Sequence, residues 1–208
     1  MEKSLALFPL KLVAFPGVKL NLHIFEPRYR QMIKDCVAVG ENFGVCVFID
    51  KLLMYGTEVR LVEISKTYQD GRMDIKTIGV QAFRILSFEN PYKDKLYAVG
   101  KVSELQDDPI KDPMVFLKFK NLLSEFLKII GDVEPVLEED LFAYTYADKL
   151  GLSLEHELKL LLLRSENDRL EFLIRHMENA LPIVRQMEMA REKIKLNGHF
   201  KYLDPLNF

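Results

Sequence analysis

The residues best suited to chemistry are few and scattered. Four histidines, His23, His156, His176 and His199, stand singly. A metal centre needs ligands at spacings that converge, as in H-E-x-x-H, and none of the four has a second His, Cys or carboxylate at such a spacing. Glu155-His156-Glu157 are consecutive positions of a helical segment, so they point in different directions and read as a solvated charged face. Cys36 and Cys46 form no C-x-x-C pair and read as two buried, reduced thiols. The densest acidic cluster, Glu138-Glu139-Asp140, reads as favourable charge at a helix N-terminus. No G-x-x-x-x-G-K-[ST], G-x-S-x-G or G-x-G-x-x-G occurs, which argues against a P-loop, a hydrolase elbow and a dinucleotide fingerprint. The expectation is a chain with no catalytic residues, no metal and no cofactor.

Two short segments suit binding better than catalysis. Phe25-Glu26-Pro27-Arg28-Tyr29-Arg30 places two aromatics among charges at a strand-to-helix corner. Glu26 and Pro27 read as structural, with Glu26 or Arg28 pairing a neighbour such as Arg84. For Arg28 and Tyr29 a structural role and a peptide-binding role both stay open. Leu52-Leu53-Met54-Tyr55 is more apolar than a connection needs, and reads either as an exposed sticky rim or as a continuation of the preceding strand. The candidate binding residues are therefore Phe25, Arg28, Tyr29, Met54, Tyr55 and Arg84.

Elements that would position these residues follow from hydrophobic period. Up to Asp107-Asp108-Pro109 the apolar residues alternate in short runs broken by Gly, Pro and Asn; afterwards they recur every three or four residues. Leu5–Phe8 and Leu20–Phe25 read as strands, joined through Phe15-Pro16-Gly17, whose Pro and Gly suit a type II turn. Pro27 opens a helix that buries Tyr29, Met32, Ile33 and Cys36, exposes Arg28, Arg30, Lys34 and Asp35, and stops at Gly40. Phe43–Ile49 reads as a strand buried on both faces. Asp70-Gly71 marks a hairpin whose second arm ends at Gly79. Phe83–Phe88 and Tyr97–Val102 are the last strands, and together they predict a small, partly open barrel with one inserted helix.

The second half predicts helices. Pro113 opens one with Val115, Phe119, Leu122, Phe126 and Ile129 on one face, ended by Gly131. Leu137, Leu141, Tyr144 and Ala147 mark another, closed by Gly151. Ser153 caps a run to Arg164, and Ser165-Glu166-Asn167-Asp168 has capping-box spacing for a long last helix. Leu170, Leu173, Met177, Leu181, Val184, Met187 and Ile194 on that helix suit either a coiled-coil seam or packing on its own lobe. Packing is favoured, because Pro182 should kink or interrupt a long seam. The predicted organisation is α+β: residues 1–108 a β-rich lobe, 109–198 a helical lobe, and 199–208 an aromatic tail that docks.

Composition removes other classes. Lys+Arg (29) and Asp+Glu (31) nearly cancel, so no basic excess draws the chain to phosphate backbones. The strongest apolar run, Leu158–Leu163, is broken by Lys159 and too short to span a bilayer, and the N-terminus lacks an export signal. A cytoplasmic protein without membrane partners is expected.

Leu7-Phe8-Pro9-Leu10, Phe15-Pro16-Gly17 and Leu22-His23-Ile24-Phe25-Glu26-Pro27-Arg28-Tyr29-Arg30 resemble the opening of the Lon protease N-terminal domain. Phe43-Gly44-Val45, Gly56-Thr57-Glu58-Val59, Asp70-Gly71-Arg72, Gly79 with Phe83-Arg84-Ile85, and Pro91-Tyr92 continue the resemblance in order. Leu158–Leu163 followed by Asp168-Arg169-Leu170 is similar more loosely. The resemblance implies a PUA-like β pseudo-barrel followed by an α-helical bundle, standing alone without Lon's ATPase and serine–lysine peptidase. It also implies a non-catalytic role in recognising unfolded or tagged proteins, with clients and a AAA+ protease in trans as partners. RNA binding through the PUA-like lobe and a small-molecule pocket are the alternatives.

Overall fold

A computed structural model describes residues 1–132 and 142–199. The Glu138–Asp140 cluster, helix positions Leu137 and Leu141, and the aromatic tail from residue 200 onward lie outside the described residues. The chain divides into two compact units, Met1–Asp108 with Tyr144–Arg164, and Pro109–Ala143 with Ser165–Phe208.

The first unit holds six strands: β1 (Glu2–Leu10), β2 (Lys19–Ile24), β3 (Phe43–Ile49), β4 (Lys51–Thr67), β5 (Met73–Glu89) and β6 (Ala98–Glu104). Their order is β2-β5-β4-β3-β1-β6, and β6 pairs back onto β5, so five strands close a ring with β2 beside it. The sequence predicted a partly open barrel. The ring closes because β5 is longer than expected: Gly79 does not end it, and Phe83–Phe88 is its second half. Gly79 instead marks where the chain passes close. A Cβ there would stand 2.0 Å from the Phe15 carbonyl oxygen, and the backbone exchanges Gly17 N–H to Gly79 O and Gly79 N–H to Val18 O. The Phe15–Val18 turn is as predicted, with Gly17 at φ 76° and Val18 N–H donating to Phe15 O at 3.2 Å.

The strands feed two cores, β1 by period-two alternation and the long β5 by its two halves. Leu5, Leu7, Cys46, Phe83, Ile85 and Val102 form one cluster. Phe8, Phe43, Val45, Val59 and Ile75 form the other, against helix α1 (Pro27–Val39). The helix contributes Tyr29, Met32, Ile33 and Cys36 to it, the face its 3.6-residue period predicts. Gly40 at φ 70° terminates α1 as predicted. A 3₁₀-helix (Ala143–Lys149) follows later in the chain, and its Tyr144 ring stacks on Phe15 with centroids 5.0 Å apart. Helix α3 (Leu154–Leu162) completes the first unit, with Ser153 Oγ accepting from His156 N–H as its cap.

In the second unit, α2 (Pro113–Ile129) is capped by Asp112, whose side chain accepts from the Met114 and Val115 N–H groups. Phe119, Leu123, Phe126 and Leu127 are its buried residues. This face is rotated slightly from the predicted one, since Val115, Leu122 and Ile129 are only half-buried. Helix α4 (Glu166–His199) runs through Pro182 without ending. Leu170, Leu173, Ile174, Met177 and Leu181 are buried, whereas Ile183 and Met187 are 60% and 64% exposed. Full burial against the helix's own unit therefore extends to Leu181, and Arg185 still pairs with Glu125 of α2 beyond it. Glu166 turns inward: its carboxylate accepts from Ala143 N–H at 2.7 Å and from Arg169 Nε at 2.9 Å. No described helix is long and apolar enough to cross a membrane.

Candidate functional site

Helix α3 carries the key asymmetry. Leu160 and Leu161 point into the unit and are buried. Glu155, Leu158, Lys159 and Leu162 fall at i, i+3, i+4 and i+7, which makes a single stripe on another face of the helix. Opposite that stripe lies the tip of the β3–β4 hairpin. Ile49 pairs with Lys51 across a connection of one residue, Asp50, at φ 43°. Aspartate tolerates that left-handed conformation better than a branched residue would.

Ile49, Lys51 and Leu53 alternate along the hairpin, and with the α3 stripe and Leu163 they line an open groove of about 760 Å³. Its aliphatic lining residues, Ile49, Leu53, Leu158, Leu162 and Leu163, are all half-buried. Asp50, Lys51, Glu155 and Lys159 complete the lining with both signs of charge. The lining contains no hydroxyl, thiol or imidazole. Such a surface can desolvate apolar side chains and meet the charges beside them.

Leu52–Tyr55 does not continue the preceding strand but lies at the start of β4, with all four residues half-buried. Leu52 and Met54 pack against the Leu7–Phe83 cluster, while Leu53 lines the groove. Tyr55 lies opposite Arg84 across β4 and β5, half-buried beside an exposed partner. The structure therefore brings Tyr55 and Arg84 together and sends Met54 to the other face.

The other candidates sit at the β2–α1 corner. Phe25 is 59% exposed and stacks near His23, with centroids 6.1 Å apart. Arg28 is exposed, donates from Nε to Glu26 at 2.9 Å, and lies 4.6 Å over the Tyr29 ring. Glu26 therefore pairs Arg28, not Arg84. Tyr29 is 4% exposed and its ring centroid is 4.1 Å from that of Phe8. Burial pushes its hydroxyl pKa up.

Two carboxylates elsewhere in this unit have structural partners. Glu58 accepts from Lys3 Nζ at 2.5 Å and Asn42 Nδ2 at 2.8 Å. Asp35 accepts from Lys95 Nζ and Tyr97 OH, both at 2.9 Å, and the Lys95 hydrogen bond holds its carboxyl below the ordinary range. Cys36 and Cys46 are free and buried, and burial raises their pKa values to about 11 and about 12. Among the described residues no three His, Cys, Asp or Glu side chains stand together as a metal site.

Sequence reasoning missed the groove as a unit. Its signals were the Leu158–Leu163 run and the excess apolarity of Leu52–Tyr55, two features far apart in the chain that only the fold joins.

Known proteins share this architecture. A Lon N-terminal domain protein from Xanthomonas campestris is 30% identical, covering 83% of this chain and 98% of its own, with a TM-score of 0.66. The N-terminal domain of Mycobacterium avium complex Lon protease superposes at a TM-score of 0.67 over 85% of this chain, at 16% identity. A LON peptidase N-terminal domain and RING finger protein of Schizosaccharomyces pombe is 26% identical over 153 residues, 61% of this chain and 30% of that protein. Lon protease 1 of Hydrogenovibrio crunogenus is 17% identical over 203 residues, 88% of this chain and 24% of its own. The chain thus matches less than a third of the length of either of these two relatives. The model of the ATP-dependent protease La (LON) substrate-binding domain matches residues 4–179. This chain belongs to the LON substrate-binding domain family.

Proposed function

We propose that the chain binds polypeptide segments in the groove between the β3–β4 hairpin tip and α3, as a recognition module that performs no chemistry on them. The observation that carries this reading is the aliphatic lining left half-exposed by a helix whose other face is fully packed. An unfolded or tagged client offers apolar side chains that a folded protein hides. Burying them against Leu53, Leu158 and Leu162 would release about 25 cal/mol per Å² of apolar surface. Tyr55, two residues along β4 from Leu53, faces the same way and extends the contact surface together with Arg84. Phe25 and Arg28 offer a second, smaller exposed surface, while Tyr29 and Met54 support the fold. A AAA+ protease in trans is the partner that would act on a client held this way, a role supported by the family and by the likeness to Lon protease 1.

Binding of a permanently unfolded model protein tests the reading. Saturable binding on the order of tens of micromolar or tighter, lost in Leu53→Asp and Leu158→Asp with the fold intact, is expected. An intact fold with no binding in that range contradicts it.

A further inference from the structure

Helix α1 carries a second concave feature, on the face that does not enter the core. Pro27, Arg30, Gln31, Lys34 and Asp35 line a cleft of about 250 Å³. Arg30 is the notable member. It is half-buried, and its guanidinium lies against Gly71 of the β4–β5 hairpin turn, where a Cβ would stand 2.3 Å from Nη2 and 2.9 Å from Cζ. Its Nε is buried and has no hydrogen-bond partner. The Asp70 carboxylate meets the charge of this guanidinium through space, but the Nε–H itself is left without an acceptor, a desolvation cost that a hydrogen-bonding anion would relieve.

The surrounding charges favour an anion as well. Lys34 is exposed and forms no ion pair among the described residues. Gln31 engages its carbonyl oxygen with Leu96 N–H at 2.9 Å, which leaves its amide NH₂ as a donor. The two carboxylates nearby are already occupied. Asp35 takes hydrogen bonds from Lys95 and Tyr97, and Asp70 is held by Arg72 Nε at 2.6 Å and the Arg72 N–H at 3.1 Å. A guanidinium, an ammonium and an amide donor are thus left around one cleft, a set whose planar fork matches a carboxylate.

We infer that the Arg30–Lys34 cleft is an anion site that receives an aspartate or glutamate carboxylate of a bound protein segment. It rests on the reading of the chain as a polypeptide binder, and it adds a preference for acidic residues that the apolar groove does not supply. Arg30 would make the charge-assisted contact from a prearranged position, and Lys34 would strengthen it without being needed for the fold.

The test uses the full chain and two fifteen-residue peptides of equal apolar content, one with four glutamates and one with glutamine at those positions. The glutamate peptide should bind roughly tenfold more tightly, lose that advantage as salt rises, and lose it in Arg30→Gln and in Lys34→Gln. The Lys34 substitution guards against a folding defect, since that side chain is exposed. Equal binding of the two peptides, with an unfolded neutral protein still bound, overturns the anion site and leaves the groove reading standing. Inorganic phosphate binding at these residues without a glutamate preference overturns the assignment to a polypeptide. Failure of both peptides and of the unfolded protein overturns both proposals.

Discussion

The β2–α1 corner and the hairpin–α3 groove differ in what their apolar residues do. At the corner, Tyr29, Met32, Ile33 and Cys36 are consumed by the core, at 7% exposure or less. What remains outside is an exposed Phe25 and an Arg28 that pairs with Glu26. At the groove, two of the α3 leucines are buried while Leu158 and Leu162 stay half-exposed beside Leu53. A crowded cluster of aromatic and charged residues in a sequence can therefore be mostly scaffold. A plainer leucine run can carry the free surface. The burial of one helical stripe, and not residue type, separates the two regions.

The largest effect expected from this contrast is at the corner. Tyr29→Ala removes a buried ring packed on Phe8 and should cost about 3–5 kcal/mol of stability in urea unfolding. A loss under about 1 kcal/mol would mean that the ring is not a core element and would reopen the corner as a binding surface.

The thiols test the same core by pH. Both cysteines have native pKa values above their unfolded value of about 8.5. As pH rises through that value, the unfolded state loses protons that the native state keeps. Stability should therefore be fully present below about pH 8.5 and fall as pH climbs toward the native values, by up to about 1.4 kcal/mol per pH unit for each thiol. Urea midpoints from pH 8 to 10 would show the decline, and a Cys36→Ala/Cys46→Ala variant should flatten it. An equally steep decline without the cysteines would locate the effect elsewhere.

The groove should behave in the opposite manner. Leu158→Asp places a charge on a half-exposed stripe, so thermal stability should shift by only a few degrees, while affinity for an unfolded protein drops about tenfold or more, a change of about 1.4 kcal/mol. The smallest effect is expected for Arg28→Ala. An exposed pair of this kind contributes about 0–1 kcal/mol, and client binding should stay within about twofold. A large loss of binding in that variant, read by titration, would move the functional surface to the corner.

How much of this was legible in the sequence follows the range of the interactions. The α1 face, its Pro27 start, the Gly40 stop, the Asp70-Gly71 hairpin and the Pro16-Gly17 turn are local, and periodicity or turn chemistry reveals them directly. Gly79 misled because glycine marks strand ends and close backbone approaches alike, and only the nearby Phe15 carbonyl tells them apart. Pro182 reads as a break in a long seam, and the fully buried stripe does stop at Leu181. The helix itself runs on, because a proline costs one hydrogen bond without having to end it. The groove was visible only as two separate apolar excesses. Joining them needs the β3–β4 register, which puts Leu53 on the outer face and Met54 on the inner, and the placement of α3 with the strands. Arg30 looked like a solvated helix residue because nothing local announces that Gly71 will lie against it.

Methyl-resolved NMR of the full chain, titrated with a neutral unfolded polypeptide, reads the occupancy of the groove residue by residue. At saturation the methyl signals of Ile49, Leu53, Leu158, Leu162 and Leu163 should move together, with those of Met32 and Ile33 unchanged. Saturable binding that leaves the groove methyls in place would contradict binding in the groove.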